Sequence, residues 1–315
     1  MNVFRPFAAA LNYVGRHGTL MVAASLFVGL GLPDIAAYCK PVLGPAIIAM
    51  LTLAFLRVDP AELRGHWDRP GLIAAASIWV MLVTPAVLGL LFEVTGLNRN
   101  MPGLYFMLVL QMSAPGLTSA PALAALIGLD VALTLATLIV CMALTPLTAS
   151  LFTHYFLGAA LPAPVTFGVR LFLLIAGCAA AAAVIRRLAG RDVIERQREA
   201  IDGLSVLSMF VFVIAAMDGV FAATRSNPLL VVGLTLLTFV LALGMMAVTA
   251  LVFRGAGRAR ALAIGLNAGN RNIGIMLAAV GFHVPDVAWL YFGLAQFPIY
   301  LLPHLLKPLA RRLNG

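Results

Sequence analysis

Charge is what this sequence lacks most. Of its 315 residues only 10% are Asp, Glu, Lys or Arg, whereas 62% are hydrophobic and the mean hydropathy is +1.02. A soluble domain carries about 25% charged residues, so this chain has too few to cover a surface facing water. That excludes a soluble enzyme or a disordered scaffold and implies an integral protein of an inner or plasma membrane, with membrane lipid as its surroundings. Cysteine is scarce as well. Cys39, Cys141 and Cys178 stand singly in apolar stretches without metal-ligand spacing, which excludes a disulfide-stapled module and leaves them packing roles. The five histidines are scattered with no H-E-x-x-H run. No Walker A sequence, paired carboxylates or nucleophile beside a base is visible, so the reading is not an enzyme and no organic cofactor is expected. Absent too are the segments of about ten alternating residues that build a membrane barrel; the apolar runs are continuous and about 20 long, the length of a helix crossing roughly 30 Å of hydrocarbon. The expected class is an all-α polytopic membrane protein.

Glycine, proline and charge punctuate the apolar runs into ten expected transmembrane helices, at roughly 18–38, 41–57, 71–92, 103–127, 129–152, 164–186, 203–222, 228–253, 260–282 and 285–306. If the spans alternate in direction, one side of the membrane receives sixteen Lys and Arg residues and the other only Lys40, Arg99, Arg170 and Arg225, with Arg271 inside a span. The positive-inside rule then places both termini in the cytoplasm. The same partition explains the formal charge of +9 as topology and attraction to anionic lipid, with no nucleic acid implied. Residues 1–17, with Arg5 and Pro6 among apolar residues and no cleavage pattern, read as an interfacial segment, and 307–315 as a cytoplasmic tail. The stretch Arg186 to Asp202, five Arg among four acids, reads as a polar connector between halves. Asp34, Glu93, Asp218 and Asp286 fall near span ends and read as interfacial. Asp130, between spans four and five, reads as a helix N-cap.

Residues 18–152 and 153–306 each hold five spans of comparable length. Two halves of five must point opposite ways across a bilayer, which is the geometry of a 5+5 inverted repeat. In each half the fourth span is interrupted. Gln111 to Pro121 puts Pro115, Gly116, Pro121 and the hydroxyls of Ser113, Thr118 and Ser119 near mid-membrane, where proline removes a helical hydrogen bond and glycine loosens the backbone. Asn267 to Gly274 carries Asn267, Asn270, Asn272 and Arg271 in an otherwise apolar run. An unpaired arginine there costs several kcal/mol, so the segment lines a polar cavity or pairs internally. Interrupted helices at matching positions point to a transporter's midplane site, and half-helix N-termini offer N–H groups to an anion. The bland reading is a kinked helix and a set of Asn and Arg side chains holding helices together.

Ala114-Pro-Gly-Leu-Thr118, followed by Asp130-Val-Ala-Leu-Thr134 and Leu144-Thr-Pro-Leu147, resembles the Ala-Pro-Gly-Gly-Thr crossover region of the bile acid:sodium symporter family. Gly265 to Ala278 is similar to that family's second crossover helix, with Arg271-Asn272-Ile-Gly274 where the family has a Gln-Asn-Ser-Gly type run. The resemblance implies discontinuous crossing helices 4 and 9, and a panel domain (helices 1, 2, 6 and 7) interleaved with a core domain (helices 3–5 and 8–10). It implies a secondary transporter of a small organic anion working by alternating access. Carried over to this chain, substrate or ion would meet Ser113, Pro115, Gly116, Thr118, Ser119, Thr134, Asn267, Asn270, Arg271 and Asn272.

The chain departs from the family at the sodium positions. Pro121 stands at the family's Asn, Thr134 at its Ser, Leu138 at its Thr, Asn267 at its Glu, Arg271 at its Gln and Val80 at its third-span Gln. Thr134 and Asn267 alone keep oxygen for a residual sodium ion. A bare charge about 4 Å from the Arg271 guanidinium costs about 4 kcal/mol at an effective dielectric of about 20. Two-sodium coupling is therefore not expected. Coupling to sodium at a remodelled site, coupling to protons and uncoupled transport all remain open. Arg271 itself is expected to act as a built-in cation that holds the crossover through the carbonyls of span four and meets an anionic substrate. The rival from another class is a non-transporting ligand sensor or partner subunit with the same fold.

Overall fold

Apolar residues with high helix propensity, punctuated by proline at first turns and glycine at ends, give a chain whose described elements are all helical. The computed structural model describes residues 11, 14, 15, 18–58 and 69–302. The expected interfacial segment 1–17, apart from its residues 11, 14 and 15, and the tail 307–315 lie outside the described residues. In chain order the helices are α1 (Gly18–Gly31), α2 (Pro33–Cys39), α3 (Leu43–Arg57), α4 (Pro70–Ile78), α5 (Thr84–Val94), α6 (Leu97–Asn100), α7 (Pro102–Ser113), α8 (Ala120–Leu126) and α9 (Val131–Leu157). There follow α10 (Pro164–Ala189), α11 (Arg191–Arg196), α12 (Arg198–Ala216), α13 (Val220–Ser226), α14 (Pro228–Val252), α15 (Arg258–Gly269), α16 (Ile273–Val280) and α17 (Asp286–Leu294).

Six helical runs among the described residues are long and apolar enough to cross a membrane: Pro33–Arg57, Pro70–Val94, Val131–Ala160, Pro164–Ala189, Arg198–Ser226 and Pro228–Val252. This is the helical, apolar architecture expected of an integral membrane protein. The remaining expected spans are made of shorter pieces: 18–38 contains α1, 103–127 contains α7 and α8, 260–282 contains α15 and α16, and 285–306 contains α17. The first boundary differs from the sequence reading. The helix ends at Gly31, not near residue 38, because Leu32 leaves the helical region (φ −127°, ψ 72°) before Pro33, which then starts the next helix. Lys40-Pro41, expected as the divider, is absorbed into a 3₁₀ turn, Lys40–Val42, inside the continuous run. The connector Arg186 to Asp202 is mostly helical as well, broken at Gly190 and Gln197.

The chain divides into two compact units. One consists of the described residues of Met1–Asp59 and Ile175–Val231, the other of those of Pro60–Leu174 and Val232–Gly315. In the first, α12 packs on α1, α2 and α3, and Leu26, Leu51, Phe212, Val213 and Ala216 on these helices are buried. Ion pairs hold its helices: Lys40 meets Asp218 at 2.8 Å and Arg57 meets Asp202 at 2.7 Å. The Arg186 guanidinium donates to the Leu56 carbonyl and, at 2.7 Å, to that of Val58. Leu56 lies in the last turn of α3 and Val58 just beyond it, so the guanidinium meets the negative end of the helix dipole.

In the second unit α9 is the central helix, packed by α4, α7, α8 and α15. The apolar seam runs through Ile73, Ala76, Leu133, Ala136 and Ile264, then Val80, Met81, Cys141 and Ala268, then Ala120, Ala124 and Leu266. As expected, Asp130 caps α9, accepting from the Leu133 N–H at 2.9 Å, and it also meets Arg260 at 3.3 Å. Several hydroxyls within the helices are silenced by bonding back one turn, as in Thr134 to Asp130 O, Thr145 to Cys141 O and Thr153 to Ala149 O. Gly269 and Gly265 let α15 approach α14 closely. A Cβ on Gly269 would stand 2.4 Å from the Ala242 carbonyl, and one on Gly265 2.7 Å from that of Met246.

Candidate functional site

Two helices of the second unit stop in its interior, and their broken ends meet. Proline pushes the residue before it toward extended backbone, and α7 ends at Ser113 with Ala114 extended at ψ 152°. The chain resumes as α8 at Ala120. The other break follows Gly269, where Asn270 is extended and Asn272 starts α16, its side chain accepting from Ile275 N–H at 3.4 Å. Residues 115–117 and 270–272 run antiparallel and form a single bridge between Gly116 and Arg271. Leu117 N–H donates to the Asn270 carbonyl at 3.0 Å and Asn272 N–H to that of Pro115 at 2.8 Å. Thus four of the main-chain groups freed by the breaks satisfy one another in two pairs, as an interior without water demands.

Arg271 extends from this bridge into the protein and is 1% exposed. Its Nε donates to the Ala268 carbonyl at 2.8 Å, Nη1 to the carbonyls of Val80 at 3.0 Å and Ala114 at 2.9 Å, and Nη2 to the Thr84 hydroxyl at 2.6 Å. Four neutral oxygens hold the charge, and among the described residues no carboxylate takes part. Each carbonyl is free for a backbone reason. The Asn272 N–H, which would serve Ala268 O in a continuous helix, is spent on Pro115. Ala114 O lies past the end of α7.

Val80 is the least obvious. Trp79–Val83 forms a π turn in which Thr84 N–H reaches back to Trp79 O, not to Val80 O. The next residue, Pro85, has no N–H to give. Val80 O is thus left without a main-chain donor, and Arg271 and the Thr84 hydroxyl, at 2.8 Å, both supply one.

The sequence-derived residues fall around this centre. Pro115, Gly116, Asn270, Arg271 and Asn272 form the bridge itself, and Asn270 Nδ2 donates to Leu266 O at 3.2 Å. Asn267 Nδ2 donates to the main-chain oxygen of Thr134 at 3.0 Å, joining α15 to α9. Gly116 faces Asn267 so closely that a Cβ would stand 2.8 Å from Oδ1. Thr118 and Ser119 are half-buried in the turn before α8. Ser113 is buried one turn before the bridge, and Gln111 accepts from the Tyr291 hydroxyl at 2.6 Å. Of the two residual sodium-ligand candidates, Asn267 keeps an unspent buried oxygen, Oδ1, while the Thr134 hydroxyl donates to Asp130 O at 2.7 Å. Ser113 Oγ and Thr137 Oγ1 are likewise buried and unspent. Among the described residues no group of three His, Cys, Asp or Glu side chains is placed to hold a metal.

Sequence reasoning missed Val80 O, Thr84, Ala268 O and Thr137. The usable signal was the Thr84-Pro85 pair within an apolar span, which marks a carbonyl with no donor. No known family's sequence model matches the chain, and no curated protein matches it.

Proposed function

We propose that the chain is a secondary transporter of a small organic anion that works by alternating access, on ten spans arranged as two inverted five-helix halves with crossing helices 4 and 9. The observation that carries this reading is the meeting of two interrupted segments, 114–119 and 270–272, through the Gly116–Arg271 bridge. A membrane protein gains nothing in stability from broken helices at its centre; freed backbone groups are tolerated there where they line a site or a cavity. The division into two compact units supports one body moving against another. The resemblance of the 114–118 and 265–278 segments to the bile acid:sodium symporter family points the same way.

Sodium coupling fits the chain poorly. The unspent oxygens of Ser113, Thr137 and Asn267 are neutral, and the carbonyls near the bridge already hold a guanidinium. Proton-coupled or uncoupled transport is the better reading. The test is reconstitution in liposomes with a panel of radiolabelled small carboxylates and sulfonates. Counterflow should be saturable and should persist when choline replaces sodium. Binding without flux for every ligand that stabilises the protein overturns the transport reading and leaves a sensor. Flux that stops in choline overturns the assignment of coupling alone.

A further inference from the structure

The cage around Arg271 is set by the backbone and not by the arginine. Val80 O is freed by a π turn followed by proline, Ala114 O by the end of α7 at Pro115, and Ala268 O by the end of α15 at the second break. Thr84 adds a hydroxyl whose proton is spent on Val80 O, so toward Arg271 it is an acceptor. Two of the three carbonyls lie at helix C-termini, whose dipoles favour a cation. The result is a cluster of four oxygens, shut off from solvent, that calls for a positive charge and has no carboxylate among the described residues to supply balance.

The geometry also selects the shape of that charge. The oxygens are met by three different nitrogens of one planar group, Nε, Nη1 and Nη2. A spherical ion presents one centre and would have to draw the oxygens inward to coordinate them, whereas a guanidinium fork meets them where they stand. We propose that Val80, Thr84, Ala114 and Ala268 form a guanidinium-selective cation site that Arg271 fills from within the chain. The two interrupted segments are thereby closed around a tethered ligand and need no ion from solution to stay closed. The proposal does not rest on transport, because it is read by melting and not by flux.

The test removes the tether and returns the ligand. Purified R271A is melted in sodium, potassium, choline and guanidinium chlorides at equal ionic strength, with guanidinium far below denaturing concentrations. R271A should melt on the order of 10 °C below the native protein in the first three salts. Guanidinium should raise its Tm saturably, as a ligand that binds only the folded state must. The native protein, its site already filled, should show no such rise, and R271A/T84V should lose most of it. No rescue by guanidinium, rescue by sodium or potassium to the same extent, or an equal rise in the native protein overturns the proposal. If R271A does not fold, Thr84 decides in the native background. T84V should lower the Tm by several degrees and T84S should restore it, whereas a T84V that melts like the native protein overturns the site.

Discussion

An arginine placed in the middle of an apolar run is the most informative residue of this chain, and its environment is unlike that of most buried charges. Among the described residues it has no acid for a partner. Its neighbours are carbonyls that the fold has already deprived of donors, so the same contacts that stabilise the guanidinium also satisfy the backbone. Gly116 works beside it by having no side chain. With Asn267 anchored on the Thr134 oxygen, a methyl at 116 stands 2.8 Å from an amide oxygen that has little room to retreat. Gly116→Ala should cost about 1–3 kcal/mol, read as a lowered Tm in detergent. Asn267→Ala should relieve part of that loss in the double variant, since the two residues touch and their effects do not add.

The breaks in α7–α8 and α15–α16 were legible in the sequence, because proline, glycine and three asparagines are costly in an apolar span unless the helix is interrupted there. That Arg271 reaches a carbonyl of the first break was legible too, from the expense of leaving it alone. Its other partners were not. The Val80 carbonyl is available only because a π turn shifts one hydrogen bond and Pro85 lacks the next donor, and neither composition nor periodicity announces a π turn. The boundary at Leu32-Pro33 was missed because the apolar run 18–38 was read as continuous through Pro33, whereas proline fits best at the first turn of a helix and there starts a new one.

At the level of whole elements, close approach separates glycines that look alike. Gly269 of α15 faces the Ala242 carbonyl, where a Cβ would sit at 2.4 Å, while Gly233 of α14 has nothing within 4 Å. A backbone carbonyl cannot swing aside as a side chain does. Gly269→Ala should therefore force α15 off α14 at a cost of about 2–3 kcal/mol or more. Gly233→Ala should leave packing untouched and raise stability by roughly 0.5–1 kcal/mol through helix propensity. Both are read from paired melting curves. The end of α3 offers a further check. Arg186→Met keeps the stem of the side chain but strips the Leu56 and Val58 carbonyls of their donors, and about 1–3 kcal/mol of destabilisation is expected.

For the molecule as a whole, the lopsided placement of basic residues predicts a direction across the bilayer that labelling can read. In a background without the three native cysteines, Arg99→Cys should react with a membrane-impermeant maleimide added outside intact cells. Arg191→Cys should react only after permeabilisation. The reverse pattern would invert the orientation, and labelling of both from outside would break the count of spans between them.

The contacts of Arg271 also carry a consequence for how the protein is made. Its partners Val80, Thr84 and Ala114 precede it by 191, 187 and 157 residues. A ribosome working at about 5–20 residues per second reaches residue 271 roughly ten seconds or more after residue 80. Until then Val80 O has the Thr84 hydroxyl to meet it, but Ala114 O has no guanidinium, a shortfall that hydrocarbon would penalise. The early helices are thus a provisional assembly that only the late arginine makes permanent. A chain halted just before residue 271 should persist as a substrate for membrane proteases, and one carried past the end of α17 should become resistant, so that pulse-chase of staged truncations would show stability arriving in a single late step.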